Sequence, residues 1–291
     1  MSNLNANTAG VQRCCWLLIA VLAGGQWGIK QPLANRCHFT CSVPQRYSSC
    51  MTLEPATPAL TNTAVAARGQ ALLSQYGEII SGIDAEAGFG GIWESEMFLF
   101  YAAVRPFAPK QILESGRARA KSTLILARCF PEAHIISVEL ERDSNNARAA
   151  ETKLNAFENV ELLYGDSVQI LPQRLNDGDA VLIDGPKDFR GLDLAIPLLR
   201  TGKPCAVFIH DFPKQSAWRR FVERHWRSAF FGDDPLFQQF RVLDRGRDPR
   251  VTAATDKTGG YGIFACFPPG LPKAYWQIRA ALRLARVGIL V

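Results

Sequence analysis

Acidic side chains close five short apolar segments of this 291-residue chain. They are Glu114, Glu139, Asp166, Asp184 and Asp211. An acid after a strand is commonplace, because such a residue often caps the following helix or faces solvent. Five acids along one sheet edge would repel one another unless a ligand, a cation or a shared proton balanced them. We therefore expect these positions to carry the binding chemistry of the protein.

Two basic residues lie close in sequence to the last two of these acids. Lys187 follows Asp184 by three residues, and His210 directly precedes Asp211. The ordinary pKa of histidine lies near neutrality, so His210 is the best candidate for a general base if no metal is bound, with a packed strand-end histidine as the alternative. A lysine can take the proton of a substrate hydroxyl group or stabilise the oxyanion that remains. We predict that Lys187, His210 and Asp211 are the catalytic residues.

A nucleoside ligand suits the other strand ends. Gly116 would let the backbone approach a ligand closely, and the helix that opens near Ser122 offers free N–H groups. Glu139 closes the second strand, 23 residues after Gly116, where a carboxylate can bind both hydroxyl groups of a ribose. Asp166, together with the N–H group of Ser167, could recognise the edge of an adenine.

The spacing of the apolar segments predicts a parallel sheet. Runs rich in Ile, Val and Leu recur at 111–115, 134–140, 160–166, 180–185 and 205–211. Helix-like stretches separate them, and this alternation is typical of strand–helix–strand units. Strands that are apolar throughout indicate a sheet covered by helices on both faces. We predict an α/β fold, a Rossmann-like three-layer sandwich with its ligand at the carboxyl ends of the strands.

Further elements are predicted at both ends of this series. Residues 237–244 and 261–268 are expected to form a strand pair that closes the sheet, which gives seven strands with an antiparallel last strand. Two helices should precede the sheet, the second with Ser95 as its N-cap. Residues 274–291 form a basic amphipathic stretch that we expect to pack on its own domain, with a membrane surface or a partner subunit as alternatives.

The order of these motifs resembles that of class I S-adenosylmethionine-dependent methyltransferases. The motifs are ESG…ST at 114–123, VEL at 138–140, GDS at 165–167, IDGPK at 183–187 and HD at 210–211. The resemblance covers roughly residues 91–268, and enzymes of this class have a seven-stranded sheet whose last strand is antiparallel. The segment 114–123 is similar to the E-x-G-x-x-x-G-x-S-T loop of a branch that includes macrocin-type O-methyltransferases and cephalosporin hydroxylase-like proteins.

The resemblance implies a role for each strand end. Glu114 and Gly116 would line the methionine end of S-adenosylmethionine, with Ser122 in the same loop. Glu139 would hold the ribose, Asp166 would lie near the adenine, and Asp184 would lie near the transferred methyl group.

The loop after the first strand departs from the family pattern. Ala120 stands where the branch has its second glycine, and an alanine there restricts the turn if its φ must be positive. The loop also carries Arg117, Arg119 and Lys121, which is unusual beside a sulfonium cation. We expect these three side chains either to point outward or to hold the carboxylate of the cofactor or of an acidic substrate.

A magnesium site is an alternative at the last two strand ends. Asp184, Lys187 and Asp211 are similar in spacing to the metal and lysine positions of catechol-type O-methyltransferases. Mg²⁺ between Asp184 and Asp211 would lower the pKa of a substrate hydroxyl group. That family has a further polar ligand, usually Asn, where this chain has Phe212. We therefore expect Lys187, rather than a metal, to neutralise the two carboxylates.

The function implied by the resemblance is methyl transfer to a hydroxyl group of a small molecule. A non-catalytic methyltransferase-like binding protein is an alternative, because of Ala120 and Phe212. A nicotinamide-linked oxidoreductase is a further alternative, but it would need G-x-G-x-x-G where residues 116–120 read GRARA. The net charge of +6 is compatible with an anionic substrate, and nucleic-acid binding is not expected at this charge.

The first 60 residues differ from the rest of the chain. The apolar run 14–23 is short for a membrane-spanning helix and suits a signal-peptide core or a weak anchor. We predict a flexible or targeting-like extension at 1–60 and a methyltransferase-like domain at 61–291, with an N-terminal helical cap and a C-terminal helix. We expect a cytoplasmic protein, with membrane anchoring or export through 14–23 as the alternative.

Overall fold

The computed structural model places two helices ahead of the sheet. Helix α1 spans Asn62–Ile79 and begins after Thr61, whose side chain accepts a hydrogen bond from the Ala64 amide. Helix α2 spans Glu94–Val104, and a short 3-10 turn follows at Arg105–Phe107.

The predicted start of α2 at Ser95 is wrong. Trp93 holds the N-cap position, and its N–H group donates to the Glu96 side chain at 3.0 Å. The Ser95 hydroxyl donates instead to Asp244 at 2.6 Å. An acid in the third helical position can satisfy the N–H group of the N-cap residue, so the helix begins earlier than the serine suggested.

Strands and helices then alternate. The elements are β1 (Gln111–Ser115), α3 (Lys121–Cys129), β2 (His134–Glu139), α4 (Asn145–Leu154), β3 (Val160–Tyr164), α5 (Ser167–Arg174), β4 (Ala180–Ile183), α6 (Asp188–Arg200), β5 (Ala206–Ile209), α7 (Ala217–His225), β6 (Phe230–Phe231), β7 (Ala265–Phe267) and α8 (Tyr275–Arg286). Strands β4 and β5 are buried along their whole length, as their continuous apolar sequence predicts.

The strands form a seven-stranded sheet in the order β3-β2-β1-β4-β5-β7-β6. Strands β1 to β5 pair in parallel, and β7 pairs antiparallel with both β5 and β6. This confirms the predicted mainly parallel sheet with an antiparallel last strand. The order of the strands reverses between β1 and β4, so the crevice outside their carboxyl ends is the expected ligand position.

The prediction of a strand at 237–244 is wrong. Residues Pro235–Asp244 form a 3-10 helix, and the sixth strand is β6 instead. Phe237, Phe240 and Asp244 are the buried positions of this helix, and their spacing of three and four residues places them on one helical face. The ring of Phe240 packs edge-on against Phe98 of α2, with ring centroids 4.9 Å apart.

Helices cover both faces of the sheet, which gives the predicted three layers. Helices α1 to α4 pack on one face around an aromatic-rich core, and α5 to α8 pack on the other. In α8, the side chains of Ile278, Ala281 and Leu282 are buried in the second core, while those of Arg279 and Arg283 are exposed. The C-terminal helix therefore packs on its own domain.

The structure describes residues 57–83, 91–244, 264–269 and 275–287, all within the compact unit 54–291. No helix of these residues is both long and apolar enough to cross a membrane. The apolar run 14–23 lies outside the described residues. The N-terminal extension, the domain boundary near residue 60 and the cytoplasmic location therefore remain predictions.

Candidate active site

A cavity of about 1010 Å³ lies at the carboxyl ends of the parallel strands. Eight of the ten predicted site residues line it: Gly116, Glu139, Asp166, Ser167, Asp184, Lys187, His210 and Asp211. The other two, Glu114 and Ser122, are not part of its wall. The volume is at the upper end of the usual range for ligand sites, which leaves room for two small molecules side by side.

Gly116 brings the ends of β1 and β4 together at this cavity. Its φ is +82°, and a Cβ atom on it would lie 2.6 Å from the amide nitrogen of Gly185. The amides of Asp184 and Gly185 donate to the Ser115 carbonyl at 2.8 and 3.1 Å. The sequence suggested a glycine for close approach to a ligand, whereas the close approach seen here is between two segments of the chain itself.

Glu139 stands at the end of β2 with both carboxylate oxygens already oriented. Oε2 accepts a hydrogen bond from the Ala118 amide at 2.8 Å, and Oε1 accepts one from the Leu140 amide at 2.9 Å. Each ionised oxygen has capacity for a further hydrogen bond. The carboxylate can therefore bind hydroxyl groups of a ligand without losing its hold on the loop after β1.

Asp166 has a structural role in addition to its place in the cavity wall. It is the N-cap of α5, and its side chain accepts a hydrogen bond from the Val168 amide at 2.9 Å. The hydroxyl of Ser167 lies 3.4 Å from the Gly185 carbonyl and donates to it. Recognition of an adenine edge by these two residues remains a prediction.

Two exposed apolar side chains in the cavity wall were missed from the sequence. Leu140 is 67% exposed and Val168 is 41% exposed, which is unusual for large apolar residues of this protein. Each lies close behind an acid at a strand end, Leu140 behind Glu139 of β2 and Val168 behind Asp166, which follows β3. Apolar side chains beside a few oriented polar groups are typical of sites for small ligands. The sequence contains a signal for both: Leu140 directly follows Glu139, and Val168 follows Asp166 by two residues.

Glu114 lies beneath the cavity rather than in its wall. It is fully buried, and its Oε2 accepts hydrogen bonds from the hydroxyls of Thr123 at 2.5 Å and Ser137 at 2.6 Å. Burial raises the pKa of Glu114, although the neighbouring hydroxyls oppose this shift. Ser122 is also buried. The hydrogen bonds of Glu114 join α3 to the sheet. The buried positions of Glu114 and Ser122 therefore do not support direct contact with a cofactor.

The backbone of the loop after β1 explains why a glycine was expected at residue 120. Ala120 precedes α3 with a φ of +72°, and Ala118 has a φ of +44°. Both lie in the left-handed region that favours glycine. The turn is therefore retained in this chain, with an alanine in a conformation that costs free energy.

The basic residues of this loop mostly turn toward the protein. Arg117 is 2% exposed, donates to the carbonyl oxygens of Ser137 and Leu163 at 2.7 and 3.0 Å, and lies over the ring of Tyr164. Lys121 forms a buried ion pair with Glu94 of α2. For these two, the expectation of an outward orientation or of an acidic ligand is wrong, because each already has a partner inside the protein. Arg119 is exposed, which agrees with that expectation.

Lys187 lies between the carboxylates of Asp184 and Asp211. Its Nζ is 2.6 Å from Oδ2 of Asp211, and it also pairs with Oδ1 of Asp184. Burial by itself would lower the pKa of Lys187, but the two carboxylates raise it above its ordinary value. Lys187 is therefore a cation in this arrangement, as expected for the group that neutralises the acid pair.

The ring of His210 lies between the carboxylates of Asp184 and Glu96. Its Nδ1 is 2.6 Å from Oδ1 of Asp184, and its Nε2 is 3.2 Å from Oε2 of Glu96. Ionised carboxylates only accept hydrogen bonds, so a ring that bonds to both of them donates from both nitrogens as an imidazolium. Nζ of Lys187 also lies 3.1 Å from Nδ1. Burial favours a lower pKa, but Glu96 and Asp184 raise the pKa of His210 to about 10. The prediction that His210 is the general base is thus not supported by this geometry.

Asp184, Lys187, His210 and Asp211 form one charge cluster, in which Asp184 and Asp211 are the carboxylates at the ends of β4 and β5. Burial of Asp184 opposes ionisation, but His210 and Lys187 lower the pKa of Asp184 below its ordinary value. Oδ1 of Asp211 is buried without a hydrogen-bond partner among the described residues. Asp211 also has a φ of +59°. Strained backbone of this kind is often found at functional sites, and Oδ1 of Asp211 also lies 3.5 Å from Nδ1 of His210.

The cluster does not suit Mg²⁺. Ligand atoms of Asp184, His210 and Asp211 lie within 4.8 Å of one another, but the ammonium group of Lys187 already lies between the two carboxylates. Both nitrogens of His210 face carboxylates. Phe212 is fully buried, and its ring stacks on Phe231 in the core. Since Mg²⁺ requires an octahedral set of oxygen ligands, this donor set does not fit it.

No protein-family model matches this chain, and no curated protein matches it. Among solved structures, it is similar to the O-methyltransferase TomG from Streptomyces achromogenes in complex with SAM, at 18% identity over 75% of this chain and 100% of that one, with a TM-score of 0.42. It is also similar to an O-methyltransferase from Bacillus cereus in complex with SAH, at 17% identity over 72% and 100% of the two chains, with a TM-score of 0.40. At this level of similarity the comparisons do not assign a function to the chain.

Proposed function

We propose that this protein is an S-adenosylmethionine-dependent methyltransferase that methylates a hydroxyl group of a small molecule. The observation that carries the proposal is the position of Glu139, an oriented carboxylate in the wall of a large cavity at the switch point of the sheet. The resemblance of the strand-end motifs to class I methyltransferases supports the same conclusion.

The cavity offers a partner for each part of the cofactor. Glu139 is placed to bind the ribose hydroxyls, while Leu140 and Val168 provide apolar surface for the adenine. Asp166 and Ser167 are the candidates for the adenine edge. The bound cofactor supplies an electrophilic methyl group on a sulfonium centre and leaves as a neutral thioether.

The charge of the cavity suits a cationic ligand. Its wall contains the carboxylates of Glu139, Asp166, Asp184, Asp193 and Asp211. The cations in the wall are Lys187, Arg190 and the protonated His210. Five negative charges against three positive charges leave the site acidic, and an acidic site attracts a sulfonium cation.

Asp211 is the proposed general base. Its side chain is 27% exposed in the cavity wall, and its carboxylate can accept the proton of the acceptor hydroxyl as the oxygen bonds to the methyl carbon. Lys187 stays protonated and stabilises the negative charge that develops on that oxygen. The carboxylate of Asp184 holds the ammonium group in place through its ion pair with it. None of these roles requires a metal ion.

The alternative of a non-catalytic binding protein rested on Ala120 and Phe212. Ala120 adopts the positive φ that the turn requires, so the loop keeps its conformation. Phe212 packs in the core, and Lys187 supplies the positive charge that a metal would otherwise bring. Neither residue therefore argues against catalysis.

The proposal is tested by product formation. The full chain is incubated with S-adenosylmethionine and a panel of phenolic and aliphatic hydroxyl compounds, and S-adenosylhomocysteine is quantified. We expect acceptor-dependent release of S-adenosylhomocysteine that is lost in Asp211→Asn. Acceptor-dependent release that persists in that variant would remove Asp211 from the role of base.

A further inference from the structure

A buried carboxylate of the N-terminal helices reaches the charge cluster. Glu96 lies in the first turn of α2 and is 5% exposed. Its Oε2 accepts hydrogen bonds from the Trp93 amide at 3.0 Å and from Nε2 of His210 at 3.2 Å. Oε1 has no hydrogen-bond partner within the described ranges. Glu96 and His210 are 114 residues apart in the chain, so α2 is joined to the end of β5 by this contact.

Charged side chains approach the ring of His210 at both of its nitrogen atoms. Glu96 approaches from α2, Asp184 and Lys187 from the end of β4, and Asp211 follows in the chain. The ring of Phe264 lies edge-on at 5.5 Å. The titratable groups that face the ring are therefore three carboxylates and one ammonium. A neutral ring would leave an excess of two negative charges in this buried space, and protonation of the ring reduces that excess.

A neutral imidazole could not keep both contacts. It has one N–H group, so it could donate to Asp184 or to Glu96 but not to both. With the proton on Nδ1, Nε2 would face Glu96 with no proton between them, which is unfavourable in a buried site. With the proton on Nε2, Nδ1 would lose its bond to Asp184 and would have only the Lys187 ammonium group, 3.1 Å away, as a donor. Glu96 thus determines whether the ring remains doubly protonated and pointed at Asp184.

We propose that Glu96 is a positioning residue that keeps His210 a fixed, doubly protonated cation within the charge cluster. Through His210 it orients the carboxylate of Asp184, which in turn holds the ammonium group of Lys187. The consequence for catalysis rests on the proposed function, whereas the protonation state of His210 can be measured without any activity.

The direct test is a histidine NMR titration of the full chain, which contains four histidines. The His210→Asn variant identifies the resonance of His210. We expect that resonance to remain that of an imidazolium through neutral pH in the wild type. Glu96→Gln keeps an acceptor for the Trp93 amide but removes the negative charge, and we expect it to lower the midpoint of the His210 titration by about 1–3 pH units.

Two further variants separate this role from a general effect on folding. Glu94→Gln alters a buried acid of the same helical turn that pairs with Lys121, and it should leave the His210 titration unchanged. Glu96→Asp keeps the charge on a shorter side chain, and it should retain more of the imidazolium than Glu96→Gln. A His210 that titrates near its ordinary pKa in the wild type, or a midpoint that is the same in Glu96→Gln, would overturn the proposal.

The kinetic measurement is the pH dependence of methyl transfer. In Glu96→Gln the rate should decline at a lower pH than in the wild type, while the affinity for S-adenosylmethionine stays the same. An unchanged pH profile would contradict the positioning role. If the chain does not bind S-adenosylmethionine at all, the proposed function fails, but the NMR titration still decides whether Glu96 fixes the charge of His210.

Discussion

The Nζ atom of Lys187 lies 2.6 Å from Oδ2 of Asp211 and also pairs with the carboxylate of Asp184. The two acids end neighbouring parallel strands, β4 and β5, which are paired along their whole length. Two carboxylates at adjacent strand ends require a compensating positive charge. In this protein an amino group of the chain itself supplies that charge.

Lys187→Ala should therefore reduce methyl transfer, whereas a chelator should not. The loss of a cation that stabilises the developing oxyanion is expected to cost about a hundredfold in rate. The measurement is S-adenosylhomocysteine release with and without EDTA. Lys214→Ala, which alters an exposed lysine outside the cavity wall, is the matched control and should have no effect. Activity that disappears in EDTA and returns with Mg²⁺ would make Asp184 and Asp211 metal ligands instead.

The protonation of His210 predicts a pH dependence of stability. Its pKa is raised from 6.5 to about 10 by Glu96 and Asp184 against the opposing effect of burial. Its contribution to stability is therefore complete below the unfolded-state pKa and is lost as the pH rises toward the folded-state value. Relative to His210→Gln, the wild type should lose free energy of unfolding between about pH 7 and pH 10. Urea denaturation at several pH values measures this difference.

His225→Gln is the control for that series. Burial and Arg224 lower the pKa of His225, so its removal should not produce a loss of this kind above neutrality. A difference between the wild type and His210→Gln that does not change with pH would mean that His210 has an ordinary pKa in the folded protein.

Gly116→Ala should destabilise the protein by more than its backbone conformation alone explains. Gly116 and Gly178 have nearly the same φ, +82° and +83°, but a Cβ atom would meet the Gly185 backbone only at residue 116. Gly178→Ala should cost about 1–2 kcal/mol through its left-handed conformation. Gly116→Ala should cost more, because backbone atoms must move. Equal unfolding midpoints in urea for the two variants would show that the ends of β1 and β4 are not in close contact.

Glu139→Ala should weaken the binding of S-adenosylmethionine by roughly 2–3 kcal/mol, the scale of a lost charge-assisted contact. Its carboxylate also holds the Ala118 and Leu140 amides, so part of the loss comes from the loop after β1. Glu141→Ala, at an exposed site two residues away, is the control. Unchanged affinity in a folded Glu139→Ala variant would remove the ribose assignment.

Short-range sequence patterns were sufficient to predict the parallel strands and most of the residues at their carboxyl ends. Apolar runs of strand length placed β1 to β5, and the acids that close them placed most of the cavity wall. The sequence predicts a strand at 237–244, where the structure has the 3-10 helix Pro235–Asp244, because a short apolar run has no decisive period. Its register follows instead from contacts such as that of Phe240 with Phe98 of α2.

Other features depend on residues that are distant in the chain. Glu96 could be recognised as a helix-start residue, but no pattern connects it with His210. The inward orientation of Arg117 depends on carbonyl groups of β2 and β3. The role expected for His210 assumed its ordinary pKa, and the two carboxylates that raise it come from α2 and from the end of β4.

Calorimetric titration of the full chain with S-adenosylmethionine is the most direct test of the proposed cofactor site. We expect saturable binding at one site per chain, with a dissociation constant of about 1 μM to 1 mM, the usual range of Michaelis constants for an enzyme and its substrate. We also expect that Glu139→Ala weakens this binding and that NAD does not bind. A folded wild-type chain that gives no binding heat with S-adenosylmethionine or S-adenosylhomocysteine would show that the cavity is not a site for this cofactor.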